Sequence, residues 1–431
     1  MKLKGLRWYI IGLISLSTVI NFIDRSAINI LWPYIHKEFG ISTADSKSAL
    51  AVITTFFLIA YALGQTTLGK VMDLVGTRVG MALSIAGWSI AIALHALARS
   101  LFAFSFFRFF LGLFEAGNWP GATKSNAEWF PARERAIAQA LFSSSTAIGS
   151  IIAAPVIALL YVAFGWRISF ILMAALGFLW IIPWFIVNKA SPDKHPWLTD
   201  EEKSHIVSAS DSPATVAEPP SDTVYTWREL LWFKNTWGIL LGRFFIDPVW
   251  WLFITWMPTF LKEQFHLDIQ QVGAYSWFPY TLAVVGGVLG GIFSMRQINA
   301  GVPSHKARKN GITLGGIFML LALVASVLYL DDLIHYPEII MVLIGITMFG
   351  FQFLICNLQT LPSDYFNGKN VGTVAGMAGT AAVVGTVFTT WAVPVITRTS
   401  YYAFFALGAV LVPLAWLCIT FIASGVKPEN K

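Results

Sequence analysis

Long apolar stretches alternate with short polar segments along the whole chain. Each stretch holds about 20 residues, enough for a helix to span the ~30 Å hydrocarbon core of a bilayer. The stretches are continuously apolar, and backbone groups in lipid must bond within their own segment, so we predict helices rather than barrel strands. The twelve predicted transmembrane helices cover residues 8–34, 48–70, 79–98, 101–123, 135–161, 166–188, 237–261, 272–295, 311–330, 337–360, 371–396 and 400–424.

One polar region interrupts this pattern, because residues 189–236 contain 13 charged side chains. Within it, Thr199 and Glu202 have the spacing of a capping box, which predicts the start of a short surface helix. The composition of residues 208–223 is typical of disorder. The predicted organisation is an N-terminal six-helix bundle over 1–188, a cytoplasmic linker over 189–236 and a C-terminal six-helix bundle over 237–431.

The composition supports a polytopic membrane protein and excludes an ordinary soluble one. Apolar residues make up 56% of the chain and charged residues only 12%, against about 25% charged in soluble domains. The mean hydropathy is +0.66. The two cysteines, Cys356 and Cys418, lie in apolar stretches, which excludes a disulfide framework and a cysteine-rich metal site.

The distribution of basic residues predicts the orientation in the membrane. With both termini in the cytoplasm, 20 of the 29 Lys and Arg residues fall on the cytoplasmic side and 6 on the other, as the positive-inside rule requires. This asymmetry explains the net charge of +6 without a nucleic-acid partner. We expect a monomeric, multi-pass protein of the inner membrane with lipid around it.

The two halves contain similar short segments in the same order. Residues 22–24 (Phe-Ile-Asp) recur at 245–247, and 128–130 (Glu-Trp-Phe) are mirrored by 364–366 (Asp-Tyr-Phe). These matches indicate a duplicated six-helix unit. Parallel halves of this kind place a substrate site near the membrane midplane.

The loop between the second and third predicted helices carries Gly69, Asp73, Gly76 and Arg78. Its spacing resembles the G-x-x-x-D-x-x-G-x-R loop of the major facilitator superfamily, in which this loop latches the outward-open state. The alternative is an ordinary charged turn. The corresponding loop of the second half has Met295 where the acid is expected, so we do not expect a second latch there.

A narrower resemblance covers nearly the whole chain. Residues 4–9, 24–25, 108–135 and 243–258 resemble the anion:cation symporter family, in particular bacterial hexuronate transporters. The segment at 108–135 is shared with relatives that take galactonate, sialic acid or organic phosphates. The resemblance implies a proton-coupled transporter of organic anions.

Charged residues inside predicted membrane helices are functional candidates because each costs several kcal/mol to bury. Arg108 and Glu115 are seven residues apart and share a helix face. Arg243 and Asp247 are four residues apart, close enough to pair directly, and an internal structural ion pair is the simpler reading of these two. The six candidates are Asp24, Arg25, Arg108, Glu115, Arg243 and Asp247.

These six charges sum to zero, so a monoanionic substrate favours the uptake of one proton. Arg25 suits a carboxylate, which its guanidinium can hold with two hydrogen bonds. The resemblance implies the same roles: Arg25 binds the substrate acid group, Asp24 and Glu115 carry protons, and Arg108 organises them.

Further substrate contacts are predicted in both halves. The resemblance implies that Tyr61 helps to bind the acid group. Gln352 and Asn357 are amides at mid-membrane depth and suit sugar hydroxyls, while Trp251 and Tyr280 could stack on a sugar face. Packing in the core or a lipid-facing belt is the alternative for the rings.

The sequence therefore predicts a proton-coupled symporter of a sugar acid, most specifically a hexuronate such as glucuronate or galacturonate. The alternatives are an aldonate or sialic acid transporter and a non-transporting sensor on the same fold. We predict no enzymatic activity and no cofactor other than the coupling proton. We interpret His95 as a packed histidine and Lys124 as a cytoplasmic anchor.

Overall fold

Helices make up nearly all of the computed structural model, which describes residues 2–208, 224–266, 269–330, 336–366, 368–397 and 401–423. The helices are α1 (Leu6–Glu38), α2 (Thr43–His95), α3 (Leu101–Glu115), α4 (Asn118–Trp129), α5 (Arg135–Val187), α6 (Asp200–Ser208), α7 (Trp227–Leu230), α8 (Lys234–Phe265), α9 (Ile269–Asn299), α10 (Ser304–Leu328), α11 (Pro337–Leu358), α12 (Leu361–Tyr365), α13 (Gly368–Ile396) and α14 (Tyr402–Leu417), which continues as a π-helical turn over Cys418–Ile422. The predicted all-α membrane fold is confirmed.

Among the described residues, ten helical segments are long and apolar enough to cross a membrane. The number is lower than the twelve predicted helices for two reasons. The second and third predicted helices lie in one apolar segment, Val52–His95. The fourth is divided into α3 and α4, and neither part alone reaches the length of a span.

Single glycines separate consecutive helices inside the two longest helical runs. Gly76 in α2 has φ 79° and Gly165 in α5 has φ 74°, both in the left-handed region. Glycine adopts this conformation without the steric cost that a side chain would add. Both glycines lie where the sequence predicts a loop, so α2 and α5 each contain two membrane helices joined by a one-residue turn.

The predicted helix over 101–123 is interrupted directly after Glu115, where two residues with helical dihedral angles separate α3 from α4. The chain leaves α3 at Ala116, and α4 begins at Asn118. Pro120 explains the break, since its nitrogen carries no hydrogen to donate to the Ala116 carbonyl four residues earlier. Glu115 is therefore the last residue of α3, and its side chain is fully buried.

The described chain divides into two compact units. The first comprises Met1–Pro131, Phe142–Ser210 and Gly368–Thr380, and the second comprises Ala132–Leu141, Asp211–Asn367 and Ala381–Lys431. The division at Ser210 falls inside the predicted linker. The beginning of α5 belongs to the second unit, whereas the rest of α5 belongs to the first. The beginning of α13 belongs to the first unit, whereas the rest of α13 belongs to the second. The sequence does not predict this division.

The first linker helix, α6, holds the beginning of α1 through one carboxylate. Glu202 accepts hydrogen bonds from the backbone N–H groups of Gly5 at 2.8 Å, Leu6 at 3.1 Å and Arg7 at 3.3 Å. The Arg7 guanidinium also pairs with Glu202 at 2.8 Å. These donors belong to a helix start that would otherwise leave them unsatisfied. Glu202 therefore caps a helix almost 200 residues away in sequence.

The predicted helix start at Thr199 is confirmed, since its hydroxyl accepts from the Glu202 N–H at 3.2 Å. The Glu202 side chain does not complete the predicted capping box at Thr199. It accepts hydrogen bonds from the beginning of α1 instead. The segment predicted to be disordered lies outside the described residues from 209 onwards.

We expect Glu202→Gln to destabilise the first unit by about 1–3 kcal/mol. Glutamine keeps one acceptor oxygen but turns an NH₂ group towards the backbone donors of α1. Thermal unfolding of the purified protein in detergent should show a lower midpoint for this variant. Glu201→Gln on the exposed side of α6 is the matched control, and equal midpoints for the two variants would contradict the capping role.

Candidate functional site

The loop motif holds the beginning of α13 through Asp73. The Asp73 carboxylate accepts from the N–H of Gly372 at 3.0 Å and of Thr373 at 2.6 Å, and from the Thr373 hydroxyl. Lys124 pairs with it at 2.9 Å. A carboxylate near the beginning of a helix is favoured by the helix dipole.

The other motif residues shape this contact. A Cβ on Gly69 would lie 2.3 Å from the Gly372 carbonyl oxygen, so only glycine permits this approach. Gly76 makes the left-handed turn, and the Arg78 Nε donates to the Asn188 carbonyl at 2.7 Å. The interpretation of Lys124 as a cytoplasmic anchor is wrong, because its side chain is buried and paired with Asp73.

The second unit uses different residues at the corresponding loop. Gly291 is packed tightly against the backbone of Ile137, much as Gly69 is against Gly372. Met295 provides no acid, and Asp364 instead accepts from Arg135 and Arg308, each at 3.4 Å. Sequence reasoning missed these two arginines as partners. The match between residues 128–130 and 364–366 was the signal that could have found them.

The central pair of the first unit joins α1 to α3. Arg25 donates to one oxygen of Glu115 from Nε at 3.1 Å and from Nη2 at 3.0 Å. Its Nη2 also donates to the Asn21 side-chain oxygen at 3.3 Å. The second Glu115 oxygen has no partner among the described residues. Glu115 thus has one oxygen bonded to Arg25 and one unused.

Asp24 and Arg108 surround this pair with unused hydrogen-bonding groups. Asp24 is fully buried, and neither carboxylate oxygen has a partner in the described part of the chain. Arg108 donates from Nη2 to the Arg25 carbonyl at 2.9 Å, while its Nε and Nη1 are unpartnered over the same ranges. The site therefore contains two cations, one bonded acid and one unbonded acid.

Aromatic rings enclose the guanidiniums. The Arg25 guanidinium carbon lies 4.8 Å from the centre of the Tyr61 ring and 5.2 Å from those of Phe22 and Phe57. Arg108 lies 4.9 Å from the Phe57 ring centre. Tyr61 therefore lies beside Arg25, and its predicted part in binding the acid group stays a prediction. Phe57 was missed, and its position one turn before Tyr61 is the only sequence signal for it.

The candidates of the second unit fall into separate groups. Arg243 and Asp247 pair through two hydrogen bonds of 2.5 and 2.8 Å, as their spacing predicts. Asn357 is fully buried and donates to the carbonyls of Gly290 at 3.2 Å and Phe353 at 2.9 Å. Its amide N–H groups hold α9 and α11 together, so it offers less to a sugar than predicted.

Of the two aromatic candidates of this unit, Tyr280 packs against a neighbouring tryptophan, Trp250. Trp250 stacks on Phe351 with ring centres 5.1 Å apart and meets Tyr280 edge-on at 6.3 Å. Trp251 is partly exposed, and Gln352, next to Phe351 on α11, is 8% exposed. Their predicted contacts with a sugar stay predictions.

His95 is a packed histidine, as interpreted from the sequence. It is fully buried, stacks on Phe170 with ring centres 5.3 Å apart, and bonds to the Ala91 carbonyl at 2.7 Å.

Known proteins resemble this chain over most of its length. A hexuronate transporter of Escherichia coli K12 is 32% identical over 383 residues, covering 88% of this chain and 85% of the relative. A galacturonate transporter of Dickeya chrysanthemi is 31% identical over 320 residues, covering 74% of this chain and 90% of the relative.

A solved structure agrees at the level of the fold. The proton:xylose symporter XylE, bound to 6-bromo-6-deoxy-D-glucose, superposes with a TM-score of 0.72 at 14% identity, covering 96% of this chain and 95% of its own. The sequence profile of the Major Facilitator Superfamily matches residues 14–390. The resemblance inferred from the motifs is thus confirmed: this chain is a multi-pass membrane protein of the Major Facilitator Superfamily, a transporter and not an enzyme.

Proposed function

We propose that the protein imports a sugar-acid anion together with a proton, by alternating access, and that the preferred substrate is a hexuronate such as glucuronate or galacturonate. The observation that carries this proposal is the grouping of Arg25, Glu115 and Asp24. Glu115 bonds to Arg25, the cation that suits a carboxylate, and Asp24 is a second buried acid with no hydrogen-bond donor among the described residues.

The substrate carboxylate and Glu115 compete for Arg25 in this mechanism. Arginine holds carboxylates through two parallel N–H donors, and both Nε and Nη2 of Arg25 already point at a carboxylate oxygen. A substrate that takes this place releases Glu115. Because Glu115 is fully buried, leaving it ionised without a partner would cost several kcal/mol, and it accepts a proton instead.

Asp24 provides a second place for a proton beside the same pair. An ionised carboxylate without donors is costly at a buried position, and both Asp24 oxygens lack donors among the described residues. The site therefore gains one proton when the anion binds, because the anion releases Glu115 from Arg25. Departure of the anion returns Glu115 to Arg25 and releases the proton, which couples the two movements.

The relatives support the chemical class of the substrate, since hexuronate and galacturonate each carry a carboxylate. Gln352, Trp251 and Tyr280 supply the polar and aromatic groups that we assign to the sugar. The uneven distribution of Lys and Arg supports an orientation with both termini in the cytoplasm. We assign the protein to the inner membrane, as a monomer.

An aldonate transporter is the second candidate, because a probable L-galactonate transporter of Escherichia coli is also similar, at 27% identity. Aldonates carry the same carboxylate on an open chain. A flat aromatic surface therefore offers them less than it offers a sugar ring.

We expect Glu115→Gln to abolish pH-driven accumulation while substrate exchange continues at least in part. Exchange needs no net proton movement, whereas accumulation requires a group that gains and loses a proton. Counterflow and uptake driven by a pH gradient, both in proteoliposomes, measure the two activities. Glu201→Gln at an exposed position should retain both. Accumulation by Glu115→Gln against a gradient would show that Glu115 is not the coupling site.

Arg25→Lys should weaken substrate binding by about 1–3 kcal/mol. Lysine keeps the charge but cannot offer two parallel N–H donors. The affinity is measured by displacement of labelled glucuronate from the purified protein. Arg167→Lys is the control, because Arg167 forms a half-exposed ion pair with Glu38. If Arg25→Lys binds as tightly as the wild type, Arg25 does not hold the carboxylate.

The substrate assignment is tested by competition in counterflow. Unlabelled glucuronate and galacturonate should displace labelled glucuronate more effectively than galactonate does. Equal displacement by galactonate would remove the basis for a hexuronate preference and favour the aldonate alternative.

A further inference from the structure

One phenylalanine ring serves both arginines of the first unit. The guanidinium carbon of Arg25 lies 5.2 Å from the centre of the Phe57 ring, and that of Arg108 lies 4.9 Å from it. Both distances are within the ~6 Å range of a cation–π contact. The ring is 5% exposed, so these contacts are shielded from water.

The position of Phe57 is determined by the helix that carries Arg108 and Glu115. A Cβ on Gly112 of α3 would lie 2.4 Å from the Phe57 carbonyl oxygen, so the α2 backbone contacts α3 at a position between these two charged residues. Tyr61 stacks on the Phe57 ring at 5.5 Å with an interplanar angle of 19°. The ring is therefore held from both sides.

Arg108 needs such a partner because its hydrogen bonds are incomplete. Only Nη2 is bonded, to the Arg25 carbonyl, and in the described residues Nε and Nη1 have no partner. Asp24 adjoins in sequence the Arg25 carbonyl that Arg108 contacts, and Glu115 bonds to the Arg25 guanidinium, yet neither acid bonds to Arg108. The π face of Phe57 offers a weak, non-ionic attraction where a carboxylate would form a strong ion pair.

We propose that Phe57 is a positioning residue for anion binding: its ring holds Arg25 and Arg108 together and keeps Arg108 off Asp24 and Glu115. Two like charges repel, and one shared ring offsets this repulsion without neutralising either charge. Arg108 then stays available to the substrate carboxylate as a second cation. This inference rests on the proposed function, because it concerns the same anion.

Loss of the π attraction lets Arg108 pair with an acid. Such a pair competes with the substrate and changes how readily that acid takes up a proton. The apparent KM for the anion therefore rises, and the pH dependence of uptake shifts. Both effects should occur even when the volume of the side chain at position 57 is preserved. A ring that only filled space would change neither property when its shape is preserved.

The test replaces Phe57 with phenylalanines carrying one, two and three ring fluorines, introduced by nonsense suppression. Fluorination weakens the negative π face step by step and nearly preserves the shape. In proteoliposomes, the KM for labelled glucuronate should rise with each fluorine, by roughly threefold to tenfold for three fluorines, and the pH profile should shift in parallel.

Phe142 is the matched control. It is fully buried and meets Trp119 edge-on at 4.7 Å, and no cation lies over its ring in the ranges that the structure describes. The same fluorine series there should leave the KM and the pH profile unchanged. Phe57→Leu has no π face and should raise the KM as the trifluoro variant does. Phe57→Trp keeps a π face and should have a KM close to that of the wild type.

A KM that stays flat across the fluorine series at Phe57, in protein that transports glucuronate, would overturn this inference and leave the proposed function intact. A wild-type protein that neither binds nor transports any sugar acid would overturn the proposed function itself, and the inference with it.

Discussion

Burying charged side chains inside a membrane protein costs free energy. In the first unit, the ion pair between Arg25 and Glu115 offsets part of this cost. A buried charge is tolerated when it is paired and hydrogen-bonded, and this pair satisfies the condition with two N–H donors on one oxygen. Breaking it leaves a buried acid that must find another partner or a proton. In the proposed mechanism, a substrate carboxylate takes the place of Glu115 on Arg25, and the released acid takes up the coupling proton.

The helices are shaped so that this pair can form. The break after Glu115 ends α3 at the acid, and Pro120 explains it. Gly112 allows the backbone of α2 to approach α3, and a Cβ on Gly64 would lie 2.4 Å from the Leu113 carbonyl oxygen on the same helix. These close contacts bring Phe57 and Tyr61 against the guanidiniums. The close approach of α2 and α3 at Gly64 and Gly112 therefore determines where the two aromatic rings lie.

Much of this could be predicted from the sequence, but the partners of the charged residues could not. Hydropathy located the helices, and the cost of buried charge selected Asp24, Arg25, Arg108 and Glu115. Spacing along one helix cannot reveal that Glu115 bonds across to α1, because that contact depends on tertiary distance. Phe57 is one of 34 phenylalanines, and only its position one turn before Tyr61 separates it from packing residues.

Proton uptake on substrate binding tests the central claim most directly. Glucuronate is added to the purified wild-type protein in a weakly buffered solution that contains a pH-indicator dye. The account predicts that binding removes protons from solution, close to one for each anion bound, because the anion displaces Glu115 and the acid is neutralised. Saturable binding of glucuronate without proton uptake at any pH would contradict the account.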